Sequence, residues 1–126
     1  MKTNRDELIE GMKELTRNGY KCFMLKEDPL HTFGFVVTPK DNVIYIQPNN
    51  FHMGWETTLK YKPSTKNGNG CRCLTEPFIN ITTDNIIKSE NEGLIFARKL
   101  GATLYKSSSE YIDNLWNKGN YEEVTA

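Results

Sequence analysis

Two cysteines separated by a single residue form the pair of side chains with the clearest chemical potential in the sequence. Cys71 and Cys73 flank Arg72 at the end of a polar, glycine-rich stretch. A neighbouring guanidinium favours the thiolate, which is the nucleophilic and metal-binding form of cysteine. A histidine base would have to be His31 or His52, and a metal site would have to be completed by His52, His31 or Cys22. Structural zinc sites use longer spacers and four converging ligands, so we expect no metal and no cofactor. Inert thiols, a redox-active pair and a metal half-site stay open as alternatives.

The sequence contains none of the common catalytic motifs. There is no P-loop, no nucleophile elbow, no HExxH pair and no dinucleotide-binding glycine fingerprint. The carboxylates occur in runs on the polar sides of predicted helices, which is typical of solvated surfaces rather than of acid–base pairs. These carboxylates are Asp6, Glu7, Glu10, Glu14, Glu90 and Glu92. We therefore expect a protein that is not an enzyme.

The basic residues outnumber the acidic ones in the middle of the chain. The whole sequence is neutral, with 16 Lys and Arg against 16 Asp and Glu. Residues 29–75 carry five basic and two acidic side chains, whereas residues 76–126 carry five basic and eight acidic ones. A basic patch with glycine-loop N–H groups and aromatic rings could hold the phosphates and bases of a nucleic acid. The candidate binding residues are Lys60, Lys62, Lys66, Arg72, Trp55 and Tyr61.

The two aromatic candidates have a competing interpretation. Residues 55–62 alternate between two faces of a predicted strand, which places Trp55 and Tyr61 on the face that should meet the core. The lysines on the other face are typical of a solvated sheet edge. Direct nucleic-acid binding is therefore the alternative hypothesis rather than the leading one.

Hydrophobic periodicity predicts the elements that position these residues. The predicted elements are a helix over 6–17, strands over 20–26, 32–38, 42–47 and 55–62, a helix over 84–100, an edge strand over 102–105 and a helix that opens at 107–110 and ends at 119. A polar loop is predicted over 64–73 and a frayed tail over 122–126. Consecutive strands on short connections favour an antiparallel meander. The predicted fold is α+β, with an antiparallel sheet of four strands, or five if 102–105 joins it, and one N-terminal and two C-terminal helices packed on it.

Length and composition predict a single soluble domain over residues 1–126. A chain of 126 residues can bury a core of its own. No stretch approaches the roughly 20 apolar residues of a membrane span, and the N-terminus is too charged for a signal peptide. The three cysteines are an odd number, which favours reduced thiols. We expect a cytoplasmic location and no contact with membranes.

Four sequence strings carry a resemblance to a group of small proteins of phages and conjugative elements. They are GW at 54–55, KYKPS at 60–64, GNGCRC at 68–73 and IFARKLGATLYK at 95–106. The resemblance covers about residues 20–118, and none of its motifs is catalytic. It implies a genomic setting in which compact non-enzymatic domains are often anti-defence proteins, such as anti-CRISPR inhibitors that occupy a nucleic-acid-binding surface. Many such inhibitors imitate DNA with a strongly acidic surface, which this neutral chain lacks.

These observations give one leading hypothesis and two alternatives. The leading hypothesis is a non-enzymatic interaction protein of phage or mobile-element type that inhibits a host defence effector by stoichiometric protein binding. The alternatives are nucleic-acid binding through the basic glycine-rich loop and a cysteine-dependent or metal-binding role. The oligomeric state stays open, because one apolar face of the last helix suits either a core or a dimer. That face carries Tyr111, Ile112, Leu115 and Trp116.

Overall fold

Three helices and six strands form in the part of the chain that the structure describes. The computed structural model describes residues 3–25, 33–49, 54–60, 71–73, 77–115 and 120–126, and of residues 60, 71–73, 114 and 115 it describes the backbone alone. The helices are α1 (Asn4–Arg17), α2 (Thr83–Leu100) and α3 (Ser108–Leu115). The strands are β1 (Lys21–Leu25), β2 (Gly34–Val37), β3 (Val43–Pro48), β4 (Trp55–Lys60), β5 (Cys71–Cys73) and β6 (Tyr121–Val124). None of these helices is long and apolar enough to cross a membrane.

Helix α1 begins and ends at the signals that its sequence contains. The Thr3 hydroxyl accepts a hydrogen bond from the backbone N–H of Asp6, and the Asp6 carboxylate accepts one from the backbone N–H of Thr3. This reciprocal capping box satisfies N–H groups that the first turn leaves without helical partners. The apolar stripe then buries Leu8, Met12 and Leu15 against the sheet, as the helical spacing predicts.

The strands form one antiparallel sheet in the order β5-β4-β3-β2-β1-β6. The first four strands follow one another as the meander that the sequence predicts, and the prediction of a small single-domain α+β fold is confirmed. Pro39 and Lys40 lie in the tight turn between β2 and β3, and Asp41 completes that turn with a φ of 65°. The turn closes where the backbone N–H of Thr38 donates to the carbonyl of Asn42 over 2.9 Å.

Three sequence predictions about the sheet margins are wrong. Residues 71–73, predicted to end a loop, form edge strand β5 beside β4. The tail predicted to fray over 122–126 instead continues strand β6 as far as Val124, which is buried opposite Cys22 of β1. Residues 102–105, all described, form no strand, although Leu104 makes an isolated bridge. Backbone N–H and C=O groups at a sheet edge gain partners from any nearby extended segment, so these margins depend on tertiary position more than on local pattern.

Two apolar clusters cover the two faces of the sheet. On one face, α1 and α2 pack over the larger cluster, which includes Met24, Ile44 and Leu59. On the other, α3 places Tyr111 against Phe35, with ring centroids 6.3 Å apart in an edge-to-face arrangement. Tyr111 therefore belongs to the core of the chain itself. Trp116, which the sequence places on the same face, lies outside the described residues.

Candidate functional site

Two positions of the predicted basic binding site, Lys60 and Arg72, lie in β4 and β5 at one edge of the sheet. The strand register pairs Lys60 with Cys71 and Leu59 with Arg72, so the backbones of Lys60 and Arg72 lie in neighbouring strands, one position apart. The other predicted binding residues lie outside the described residues; they are Tyr61, Lys62 and Lys66. Paired positions share a face of the sheet and successive positions alternate, so Lys60 and Arg72 fall on opposite faces and the structure does not bring these two cationic positions together.

Trp55 lies in the core. Its side chain is 3% exposed and belongs to the cluster beneath α1 and α2. Its backbone N–H donates to the carbonyl of Phe78 over 2.6 Å and its carbonyl accepts from the N–H of Phe78 over 2.9 Å. Trp55 thus packs inward, as the strand alternation predicts, and fixes the segment at Phe78 to the margin of the sheet.

The described thiol is enclosed and protonated. Cys22 is fully buried, and its Sγ lies 3.5 Å from the carbonyl oxygen of Met12. Burial raises the pKa of this thiol to about 12, and the negative charge of Glu123 adds to the shift. Cys22 is therefore not a nucleophile near neutral pH.

The proposed chemistry of the other two cysteines depends on side chains outside the described part of the structure. Cys71 and Cys73 lie in β5, where their backbones are described, and His31 and His52 lie outside the described residues altogether. Among the side chains that are described, no three Cys, His, Asp or Glu residues converge on a point that could hold a metal ion. The thiol and metal hypotheses for Cys71 and Cys73 stay predictions.

A buried carboxylate holds the β2–β3 turn. Glu90 of α2 is 3% exposed and accepts hydrogen bonds from the hydroxyl of Thr38 and, over 2.8 Å, from the amide of Asn42. Burial raises the pKa of the nearby Tyr20 phenol, and the charge of Glu90 adds to that effect. Asp41 in the same turn accepts from the backbone N–H of Ser108 over 3.0 Å and from its hydroxyl over 2.7 Å. Glu90 and Asp41 thus link α2 and α3 to the β2–β3 turn, so these two carboxylates have a structural role.

A groove lies beside α1 in the described part of the structure. It has a volume of about 510 Å³ and runs between α1 and the segment 79–81, with residues 54–55 between them. Glu7, Glu10 and Glu14 line it from α1, and Ile79 lines it from the opposite segment. We call this surface the α1 groove.

Two glycines allow the walls of the α1 groove to approach each other. A Cβ atom on Gly11 would lie 2.6 Å from the Cβ of Ile81, well inside van der Waals contact. Gly54 has a φ of +130°, which favours glycine, and a Cβ there would collide with the carbonyl oxygen of Phe78. The segment that carries Phe78 and Ile81 therefore packs directly on backbone at both points.

The α1 groove is acidic along one side and apolar on the other. The three glutamates are exposed and, at positions i, i+3 and i+7, share one face of the helix. The charge of Glu14 is partly offset by Arg17, whose Nη1 lies 3.2 Å from its carboxylate. Ile79 is 73% exposed, a high value for a large apolar side chain. The groove therefore offers anionic and apolar contacts side by side.

The sequence analysis missed this surface because it interpreted the α1 carboxylates as a solvated face. In the sequence alone, glutamates at helical spacing show the same pattern whether they border a groove or face bulk water. Gly11 is the signal that could have separated the two cases, because a glycine in the middle of a helix costs stability and often marks a close approach.

Comparisons with protein-family models, curated proteins and solved structures give no match for this chain.

Proposed function

We propose that the chain is a non-enzymatic binding protein that forms a stoichiometric complex with a partner protein through the α1 groove. The observation that carries the proposal is the exposed Ile79 beside a row of carboxylates in a groove of about 510 Å³. Exposed apolar side chains with polar neighbours are characteristic of protein interfaces. A partner side chain that covers Ile79 would remove apolar surface from water while its polar neighbours meet the carboxylates.

The class of partner that we propose is a host defence effector. Its support is the resemblance of the strings at 54–55, 60–64, 68–73 and 95–106 to proteins of phages and conjugative elements. In that setting, occupying a functional surface of the effector inhibits it without any chemical step. An inhibitor of this kind needs a surface that is complementary to its target, and the α1 groove is the candidate for that surface among the described residues.

The experiment that tests the proposal is quantitative affinity capture from nuclease-treated host lysate with matched variants. Ile79→Ser removes the exposed apolar group of the α1 groove. Ile95→Ser is the control, because Ile95 is also exposed, at 53%, but lies on α2 outside the groove. We expect a partner that the wild type and Ile95→Ser capture at equal molar ratio and that Ile79→Ser loses. Equal capture by all three proteins, or no capture by the wild type, would contradict the proposal.

A second candidate function is nucleic-acid binding at the β4–β5 edge. It is supported by the excess of basic side chains in residues 29–75 and by Lys60 and Lys62, which the strand alternation of the sequence assigns to one face. Each phosphate contact contributes about one unit to the slope of log affinity against log salt concentration. Lys60→Gln with Lys62→Gln should therefore lower that slope by about two, whereas Arg98→Gln with Lys99→Gln at the end of α2 should leave it unchanged. An affinity that does not depend on salt would exclude this candidate.

A further inference from the structure

We infer that Asn18 is a site of spontaneous deamidation that the C-terminal cap of α1 keeps closed in the folded chain. Asn18 and Gly19 follow directly after α1, and both are exposed. An asparagine that precedes glycine deamidates readily in a flexible chain, because glycine has no side chain to hinder its backbone nitrogen. This chemistry belongs to the chain itself and does not depend on the proposed function.

The reaction needs only water and the atoms of Asn18 and Gly19. The backbone nitrogen of Gly19 attacks the side-chain carbonyl carbon of Asn18, gives up its proton and expels the side-chain nitrogen as ammonia, which closes a succinimide ring. Water then adds to one of the two ring carbonyls and opens the ring. The product is aspartate, or isoaspartate when the chain continues through the side-chain carbonyl. No oxidant or reductant takes part.

The backbone of the cap holds the reacting atoms apart. Asn18 has a φ of −104° and a ψ of 18°. A ψ near zero turns the Gly19 nitrogen toward the backbone nitrogen of Asn18 and away from the Asn18 side chain. The ring therefore closes only after the peptide unit between Asn18 and Gly19 has rotated.

Backbone hydrogen bonds at the C-terminal end of α1 oppose this rotation. The reactive nitrogen of Gly19 carries an N–H that donates to the carbonyl of Thr16 over 3.2 Å. The next N–H along the chain, that of Tyr20, donates to the carbonyl of Leu15 over 3.1 Å. Leu15 and Tyr20 are buried, so a rotation at Asn18 disturbs core packing as well as these bonds. Deamidation of Asn18 thus requires the last turn of α1 to open.

The side-chain amide of Asn18 is itself part of the cap. Its Nδ2 donates to the carbonyl of Glu14 over 2.9 Å, which satisfies a carbonyl that the last helical turn leaves without a helical partner. Aspartate at this position has no N–H to donate, and its charge meets the negative end of the helix dipole. Deamidation therefore weakens the cap that restrains it, so modification and opening of the last turn reinforce each other.

The first measurement compares Asn18 in folded and in denatured wild-type protein at one pH and temperature. Peptide mass spectrometry detects the replacement of the side-chain NH₂ by OH. Asn67 and Asn69 also precede glycine, so they give the reference rate in guanidinium chloride. We expect Asn18 to convert there at a rate similar to theirs and to convert about tenfold or more slowly in native buffer. Equal rates of Asn18 in both conditions, or no conversion in the denaturant, would overturn the inference.

Matched core variants show which opening admits the reaction. Leu15→Ala removes a buried side chain from the last turn of α1, and Leu59→Ala removes an equally buried one from β4. We expect Leu15→Ala to accelerate the conversion of Asn18 in native buffer more than Leu59→Ala does. Equal or smaller acceleration by Leu15→Ala would mean that global unfolding exposes Asn18 and would overturn the inference.

Hydrogen exchange of the Gly19 amide in wild-type protein gives a second readout that needs no substitution. The exchanging N–H lies on the reacting nitrogen, so the same opening of the last turn frees it from the carbonyl of Thr16. We expect this amide to exchange more slowly in native buffer than in the denatured chain. Equal exchange rates in the two states would overturn the inference even if Leu15→Ala does not fold.

The effect of the product on the cap is tested with Asn18→Asp, which places the deamidated side chain directly. We expect a lower melting temperature than in the wild type, measured by circular dichroism. Asn4→Asp is the control, because it adds the same charge in the first turn of the same helix, where the dipole favours it. Equal melting temperatures of the two variants would overturn the inferred link between deamidation and opening of the last turn.

Discussion

Replacing Gly11 by alanine tests the close packing that builds the α1 groove. In an exposed helix interior this change would stabilise the protein by about 1 kcal/mol, because alanine favours the helix and glycine does not. In the structure, however, the new Cβ would lie 2.6 Å from the Cβ of Ile81, 2.9 Å from its Cγ2 and 3.1 Å from its carbonyl oxygen. Comfortable carbon–carbon contact begins near 3.5 Å, so the wall would have to move by about 1 Å.

The two effects oppose each other, and their magnitudes decide the sign. Adding a methyl group to a tightly packed contact costs about 1–3 kcal/mol, more than the gain from helix propensity. We expect Gly11→Ala to lower the free energy of unfolding by about 1–2 kcal/mol, measured by urea denaturation at constant m-value. The cost should shrink in an Ile81→Gly background, where both the Cβ and the Cγ2 contacts are gone. A stabilisation of about 1 kcal/mol would refute the close approach of Ile81 to α1.

Three further predictions concern the carboxylate of Asp41, the buried carboxylate of Glu90 and strand β6. Hydrogen bonds from Ser108 lower the pKa of Asp41 below its ordinary 3.8, so the stability that Asp41 contributes is present above that pH and is lost as the pH falls through the lower folded-state pKa. Asp41→Asn should accordingly be less stable than the wild type in urea at neutral pH, and the difference should shrink as the pH falls through the lowered folded-state pKa of Asp41; a difference that does not depend on pH would contradict this. Glu90→Ala leaves two hydrogen-bond donors of the β2–β3 turn without their acceptor and should cost about 2–3 kcal/mol in urea denaturation; a cost below about 0.5 kcal/mol would show that Glu90 does not hold the turn. Val124→Asp places a charge among core side chains and should cost about 2–4 kcal/mol by the same measurement, whereas an unchanged stability would mean that the tail frays after all.

The first helix and the central strands could be predicted because their signals are local. The apolar stripe of α1 recurs at helical spacing, and its capping box lies within the first few residues. The β2–β3 hairpin is marked by Pro39 between two short segments rich in Val, Ile and aromatic residues. In such segments the pattern of burial and the backbone geometry point to the same structure, so a single sequence is enough.

The sheet margins could not be predicted because their formation depends on distant partners. Strand β5 has three residues, too few to show alternation. Strand β6 contains Glu122 and Glu123, both exposed, while Val124 lies in the larger apolar cluster and Tyr121 packs against the smaller one. This segment pairs with the open edge of β1, whose backbone N–H and C=O groups gain hydrogen-bond partners from it. No local pattern in residues 121–126 carries that information.

The α1 groove was hidden for a similar reason. Its glutamates and Ile79 are far apart in sequence and come together only because the segment at Phe78 bridges to Trp55 and then packs on Gly11 through Ile81. The basic site, by contrast, was predicted from residues that are close in sequence. The structure sets two of its backbone positions, Lys60 and Arg72, in adjacent strands but on opposite faces of the sheet, and it places Trp55 in the core.

Hydrogen–deuterium exchange of the protein with and without its captured partner tests the central claim most directly. If the α1 groove is the binding surface, exchange should slow in α1 and in residues 78–81, where a bound segment shields backbone amides. Helix α3 lies on the opposite face of the sheet and provides the internal control. Protection confined to α3 or to the β4–β5 edge, with α1 and residues 78–81 unchanged, would contradict the account.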